Sequence, residues 1–452
     1  MKNLIVENQN IIHGSSHLRG NNKFIKIDYM TSNMADNTAY KEYLKQNQIF
    51  DKEDKKKILQ KFVERYKKYR KDWISSHESH YKNFDAITSA KIDMPSPLCV
   101  DIETASICDL ACPHCFRDHI MTPDKIMKES LYKKIIDSIS KQKVPSIKLN
   151  WRGEPLLNPK LYDFIKYAKS KGILEIIINT NATKLNSVNA KKLINSGIDE
   201  VVFSFDGGTK KTYDKMRPGR FHNNKFEDVY NNIKNFDLIK KEMNSKFPIT
   251  KIQMVLTEDT REEIESFHEL FKDCVDDVTV IHYHERGGNF SQLQKKVKDK
   301  LDKYLLLNNL PQDTPYLVSA DEKIFISQKR KACSQLFQRM MVTYDGRVGM
   351  CCHDWGAQHC VGFIDEEAFN EEEVINKLES SIKSNKKGFE LLKDAKKPKK
   401  YYETPKKVDD IMKIWSNEEF QRVRGIHSKN SSNEIEMCKT CVFVDTYDWQ
   451  PI

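Results

Sequence analysis

Cys108, Cys112 and Cys115 lie in the run CDLACPHCFRD, residues 108 to 118, with three residues between the first pair and two between the second. Thiolates so close in one loop point to metal ligation. Three of them can hold three irons of a 4Fe-4S cube, leaving the fourth iron open to a non-protein ligand. The alternative is a zinc knuckle, which needs a fourth ligand such as His114 or His119. A second set follows far downstream: Cys333, the adjacent Cys351 and Cys352, and Cys438 with Cys441 in CKTC. Two distant cysteine groups closing on one metal imply a second site, either iron-sulfur or tetrahedral zinc. Cys99 and Cys274 stand apart and read as small core residues.

Elements able to position such loops are legible between them. LCVDIE, SIKLNW, EIIINT, EVVFSF, KIQMVL and DVTVIHY, from Leu98 to Tyr283, are six candidate strands. Helical stretches at 129–142, 159–171, 187–196, 224–241 and 260–272 separate them. Strand and helix in alternation predict an α/β fold with a parallel sheet and right-handed crossovers, either open or an incomplete barrel. The cysteine triplet follows the first strand. RGEP (152–155), NTNA (179–182), DGG (206–208) and TEDT (257–260) follow the next four, so all these loops are predicted to line one mouth. Residues 36–82 read as helix from the spacing of Tyr40, Tyr43, Leu44, Ile58, Phe62, Tyr66, Tyr69 and Trp73. After about residue 290 come a Lys-rich helix and a cysteine-bearing module. The latter carries a polar stretch at 363–410 that reads as a surface insertion, with KKPKKYYETPKK as its least foldable part.

A chain of 452 residues has room for two or three domains. Its apolar runs, such as ILEIII, are far shorter than the ~20 residues of a membrane span. The N-terminal residues lack the apolar region and cleavage site of a signal peptide, so the cytoplasm is the expected address and eleven cysteines are not expected to form disulfides. The formal charge is +10, but residues 1–95 carry 18 Lys and Arg against 12 Asp and Glu. Much of the excess therefore sits outside the cysteine-bearing region, as a solvated basic helical face or a surface for an acidic redox partner.

With these motifs in order, the sequence resembles the radical S-adenosylmethionine (SAM) enzymes over about residues 98–290. Their signature is matched by Cys108, Cys112 and Cys115, with His114 in the position that packs on adenine. RGEPLLNP resembles the family's Gly-Gly-Glu-Pro loop, which implies that Gly153, Glu154 and Pro155 bind the methionine end of SAM; Arg152 stands where the first Gly is usual. The resemblance likewise implies SAM contacts for Asn181 in NTNA and for Ser204 and Arg217 in SFDGGTKKTYDKMRPG. YDGRVGMCCHD, IWSNEEFQRVRG and the final Cys-x-x-Cys resemble SPASM and twitch extensions, which bind auxiliary clusters. That implies one auxiliary 4Fe-4S cluster held by Cys333, Cys351, Cys438 and Cys441, with Cys352 an alternative to Cys351 and Cys360 not a ligand. The implied architecture is a partial (β/α)6 TIM-type barrel at 96–290. It follows an N-terminal helical extension at 1–95 and leads through a helical connector at 291–325 to a small SPASM/twitch-like domain at 326–452.

The resemblance further implies reductive cleavage of SAM to a 5′-deoxyadenosyl radical that abstracts hydrogen from a substrate. A flavodoxin or ferredoxin is the implied reductant. The expected substrate is a small polar, carbohydrate-like molecule that becomes oxidised; the alternative is peptide or protein side-chain modification, and a third reading is an iron-sulfur electron carrier. A zinc-bearing RNA-binding protein would use the cysteines but not the ordered strand-end motifs, and neither nucleic acid nor membrane is an expected partner. His282, His284, Glu285 and Arg286, after the sixth strand, are candidates to hold substrate or take its proton. The aromatic tail VDTYDW is expected to cap the auxiliary domain.

Overall fold

A computed structural model of the chain describes residues 5–6, 22–85, 94–282, 295–312, 314–318, 323–389, 392–439, 441, 443 and 446–452. Its strands are β1 (Ile5–Val6), β2 (Cys99–Ile102), β3 (Ser146–Lys148), β4 (Glu175–Thr180), β5 (Glu200–Ser204), β6 (Ile249–Leu256), β7 (Asp277–His282), β8 (Tyr316–Val318), β9 (Ile324–Ile326), β10 (Arg339–Val342), β11 (Arg347–Gly349), β12 (Cys360–Phe363) and β13 (Gln450–Pro451). Strands β2 to β7 pair in sequence order, every pair parallel. Helices Glu129–Lys141, Leu161–Ser170, Ser187–Asn195, Phe226–Glu242 and Ile264–Phe271 make the crossovers. This is the partial barrel, and its strands coincide with the six apolar runs because most of their residues are buried between barrel interior and helix layer, β7 least. The helices follow the 3.6-residue period: Glu129–Lys141 buries Leu131, Tyr132, Ile135, Ile136 and Ile139.

The N-terminal extension differs from the single helix expected over 36–82. It runs as Asn22–Ser32, Thr38–Gln46 and Lys52–Lys82. Gln48 interrupts it at a φ of 51°, and Asp51 then accepts from Asp54 N at 3.0 Å to start the last helix. These helices close the end of the barrel opposite the cysteine loop. Glu175, the first residue of β4, accepts from Tyr66 Oη at 3.0 Å and Tyr69 Oη at 2.9 Å, with Arg70 Nη1 3.9 Å away. Asn37 Nδ2 donates to Asp199 Oδ1 at 3.0 Å. Arg70 is 1% exposed and Glu175 0%, so removing the anion would leave a buried cation with the two phenols and Glu200. Glu175→Gln is expected to lower unfolding free energy by about 3–5 kcal/mol, read by urea denaturation; a loss below about 1 kcal/mol would mean that Arg70 does not depend on Glu175.

The region after residue 290 also differs from a helical connector feeding a separate domain. Helix Lys295–Leu307 leads into antiparallel β8 and β9, and the C-terminal β13 pairs with β9. Strand β10 then lies parallel to β2, Arg339 opposite Cys99 and Val342 opposite Ile102, and β11 and β12 extend the sheet antiparallel. The cysteine-bearing module thus continues the barrel sheet and covers the β2 edge.

The polar stretch 363–410 is not a loose surface insertion. Its helix Glu371–Lys383 places Ile375, Leu378 and Ile382 with Leu392, Ala395 and Met121 in one apolar cluster. The segment predicted least foldable is tied down along its length. Lys396 N donates to His119 O at 2.8 Å, Met121 N to Lys396 O at 2.9 Å, and Tyr401 N to Gln358 O at 2.9 Å, while Tyr402 stacks on His359. A composition argument weighs charge and misses the backbone partners that another chain segment supplies. No described helix is long and apolar enough to cross a membrane.

Candidate functional site

The loop after β2 is built to hold its cysteines in a fixed frame. Cys115 N donates to Cys112 O at 2.9 Å, and Ala111 N to Pro218 O at 2.9 Å. Arg220 donates to both oxygens of Asp124 at 2.8 and 3.0 Å and to Gly388 O at 2.6 Å, and Asp124 also takes the buried Arg117. The polar stretch is therefore part of this frame.

Cys108, Cys112, Cys115, His114, Gly153, Glu154, Asn181, Ser204 and Arg217, drawn from four strand-end loops, line one cavity of about 310 Å³. Pro155 stands behind it, opening the short 3-10 turn Pro155–Leu157. The loop at 257–260 does not line the cavity. It turns on itself, Thr260 Oγ1 accepting from Thr257 N at 2.8 Å and donating to Val255 O at 2.7 Å. His282 ends β7, but its side chain lies outside the described residues, as do His284, Glu285 and Arg286.

Glu154 is buried and anchored by three donors: Leu156 N at 2.9 Å, Thr180 Oγ1 at 2.7 Å and Asn181 N at 2.7 Å. No hydrogen bond or ion pair to a cation is among its described contacts, and burial raises its pKa to about 7 despite these hydrogen bonds. Such a carboxylate suits an ammonium ligand. Asn181 spends its side chain on Asp109, donating to Oδ1 at 2.9 Å, while its backbone serves Glu154. Arg152, standing where the resemblance expects a glycine, turns onto Glu103 in a bidentate pair at 2.6 and 2.7 Å. Glu103 also accepts from Tyr344 N at 3.2 Å, so the substitution links the loop to the C-terminal module. The next glycine is sterically required, since a Cβ on Gly153 would come within 2.3 Å of Ala105 O and 2.5 Å of Ile107 O. Gly153→Ala is expected to cost about 1–3 kcal/mol of stability and to weaken SAM binding, measured by thermal unfolding and equilibrium dialysis; an unchanged protein would show that the two loops can separate freely.

Sequence reasoning quoted Asp206 without giving it a role. Its Oδ2 lies 3.1 Å from His114 Nε2 and accepts from Arg217 Nε at 2.6 Å, and its Oδ1 accepts from Val255 N at 2.6 Å. Burial opposes ionisation, but Arg217 and His114 outweigh it and hold the carboxyl well below the usual carboxylate range. His114 Nδ1, also buried, has no hydrogen-bond partner among the described residues. The same cavity is lined by Asp101, Asn150, Gln253 and Arg339, with Trp151 and Trp355. Arg339 Nη2 donates to Asp101 Oδ1 at 2.5 Å. Gln253 Nε2 and Asn179 Oδ1 are buried atoms without a hydrogen-bond partner among the described residues. Polarity at inward strand positions was the available signal for these; Trp355 and Arg339 reach the cavity only through the C-terminal module.

In the second set, Cys333, Cys351, Cys438 and Cys441 interact electrostatically, each with at least one other of the four. Burial, then neighbouring thiols, pushes Cys333 up to about 12, so a bound metal would be needed to keep these groups as thiolates. Cys352 interacts with Cys333 and Cys351 and also lines the cavity that holds Cys108, Cys112 and Cys115, its thiol 3.5 Å from Gln335 Oε1. The Cys360 thiol donates to Gly362 O at 3.3 Å. Tyr447 Oη donates to Cys441 O at 2.7 Å, so the aromatic tail covers this module. Among the described residues no three His, Cys, Asp or Glu side chains converge as ligands of a single ion. Tetrahedral zinc would draw its sulfurs to within about 4 Å of one another, whereas a cube takes one thiolate at each separate iron corner.

Residues 102–271 match the Radical SAM superfamily. The chain carries a radical SAM domain. The cofactors of this superfamily are a 4Fe-4S cluster and SAM, which agree with three clustered thiols beside an ammonium-ready carboxylate. The chain is 26% identical over 260 residues to a probable GTP 3′,8-cyclase of Methanocaldococcus jannaschii, covering 55% of this chain and 83% of that protein. It is 26% identical over 124 residues to the mycofactocin maturase MftC of Mycobacterium ulcerans, covering 27% of this chain and 33% of that protein. Streptococcus suis SuiB bound to the precursor peptide SuiA superposes with a TM-score of 0.48 at 14% identity, over 93% of this chain and 84% of that one. For several other curated relatives the chain spans only 30–50% of their length.

Proposed function

We propose that this protein is a radical SAM oxidoreductase acting on a small polar, carbohydrate-like substrate in the cytoplasm, with a flavodoxin or ferredoxin as reductant. Cys108, Cys112 and Cys115 would hold the SAM cluster. Glu154 would bind the SAM ammonium, with Gly153, Pro155 and Asn181 shaping that loop, and His114, Ser204 and Arg217 would flank the remainder of the cofactor. Bound there, cluster and SAM together supply a 5′-deoxyadenosyl radical that abstracts hydrogen from the substrate. Cys333, Cys351, Cys438 and Cys441 would hold one auxiliary cluster, Cys352 facing the cavity instead.

One observation carries the substrate class: Gln253 and Asn179 line the cavity, and their Nε2 and Oδ1 atoms are buried without hydrogen-bond partners among the described residues. An apolar substrate would leave each unsatisfied at about 1–3 kcal/mol. A polyhydroxylated or amino-bearing ring supplies both donor and acceptor. Similarity to a maturase supports peptide modification as the second reading.

Candidate cyclitols, amino sugars and short peptides should be compared for stimulation of 5′-deoxyadenosine formation by loaded protein. A cyclitol or sugar should stimulate it, and Gln253→Leu should lower that stimulation about tenfold, the value of one buried hydrogen bond. Stimulation by peptides alone would favour the second reading.

A further inference from the structure

His427 lies in helix Glu418–Ser428 and is 1% exposed. Its Nδ1 is 3.3 Å from the backbone N of Cys333, which can only donate, so Nδ1 accepts. Its Nε2 is 3.5 Å from Cys438 Sγ. An imidazole that accepts at Nδ1 carries its ring proton on Nε2, so the contact to sulfur is Nε2–H donating to Cys438. One neutral ring thus ties together two cysteines from separate segments and fixes its own tautomer in doing so. On the same module Arg330 donates to the backbone oxygens of Cys438 and Cys441 and lies 5.1 Å from the Tyr447 ring centroid.

We propose that His427 is a positioning residue that sets the reduction potential of the auxiliary cluster. The proposal rests on the auxiliary-cluster reading above. Extra electron density on an iron-sulfur cube is shared with its cysteine sulfurs, and a hydrogen bond donated to one of them favours the more negative state. Nε2–H on Cys438 therefore raises the potential and fits this cluster to accept electrons. Arg330 contributes a fixed positive charge to the same surroundings, and it remains in every variant below, so comparison among them isolates the histidine.

The test uses full-length protein with Cys108, Cys112 and Cys115 all changed to Ala, so that only the auxiliary cluster can assemble. After anaerobic reconstitution, iron and sulfide are counted and the midpoint potential is followed by EPR. His427→Phe should shift the midpoint to lower potential. His427→Gln, which can still donate, should shift it less. An equal or higher midpoint in His427→Phe overturns the proposal. If the parent takes up no iron-sulfur cluster, the auxiliary-cluster reading itself fails, and that outcome is separately visible in the iron count. Should His427→Phe fail to retain its cluster, pulsed EPR of the parent labelled with 15N-histidine decides. A weak ring-nitrogen coupling lost in His427→Gln supports the contact; no coupling, or one that persists in that variant, overturns it.

Discussion

Cys115→Ala protein, loaded anaerobically with iron and sulfide, is expected to form no 5′-deoxyadenosine above background while retaining about half of the wild-type iron. The two readouts separate because the two cysteine sets occupy different loops. Cys115 shares its loop with Cys112 and lines the cavity bounded by Glu154 and Arg217, whereas Cys333, Cys351, Cys438 and Cys441 belong to the C-terminal module. The Cys115 backbone bond to Cys112 O survives the substitution, and Arg220 and Asp124 still brace the loop, so the effect is confined to the lost thiolate. Unchanged iron and unchanged product would remove Cys115 from the ligand set. If fully loaded wild-type protein forms no 5′-deoxyadenosine, even with candidate substrates present, electron carriage becomes the leading reading.

Glu154→Gln is expected to weaken SAM binding by about 30- to 1000-fold, the 2–4 kcal/mol typical of removing one partner from a buried charged pair. Leu156 N and Thr180 Oγ1 donate to one carboxylate oxygen and Asn181 N to the other, so the substitution removes the charge together with the acceptor at whichever position the Gln NH2 takes. A pH dependence follows from the same burial. In the ligand-free site the carboxyl is raised to about 7, and only its ionised form attracts an ammonium. Binding an ammonium lowers that pKa, so SAM affinity should be level above about pH 7 and fall about tenfold per unit below it. Glu154→Gln should abolish this slope. Equilibrium dialysis of loaded protein between about pH 6 and 8.5 measures both effects; a wild-type affinity that does not fall below pH 7 would mean that Glu154 does not meet the ammonium.

The six core strands and the cysteine triplet could be read directly because their signals are local. An apolar β run declares a buried strand within a few residues, and Cys108, Cys112 and Cys115 are near neighbours in sequence as well as in space. The order of strand-end loops carried Glu154, Ser204 and Arg217 to one mouth because parallel βα units put every such loop at the same end. Closure decided the rest. Nothing near Arg152 foretells that Glu103 will neutralise it, or that Asp206 will sit between His114 and Arg217. Nor does composition reveal that a Lys-rich segment around Lys396 will pair with Ile120 beside the cysteine loop. By itself the sequence determined which groups could do chemistry and the repeated unit that presents them. Only the tertiary structure decided which charges those groups face, that Cys352 reaches the cavity shared by Cys108, Cys112 and Cys115, and that β10 extends the sheet beside β2. These depend on contacts between residues far apart in the chain, where packing and burial set the partner and no local periodicity records it.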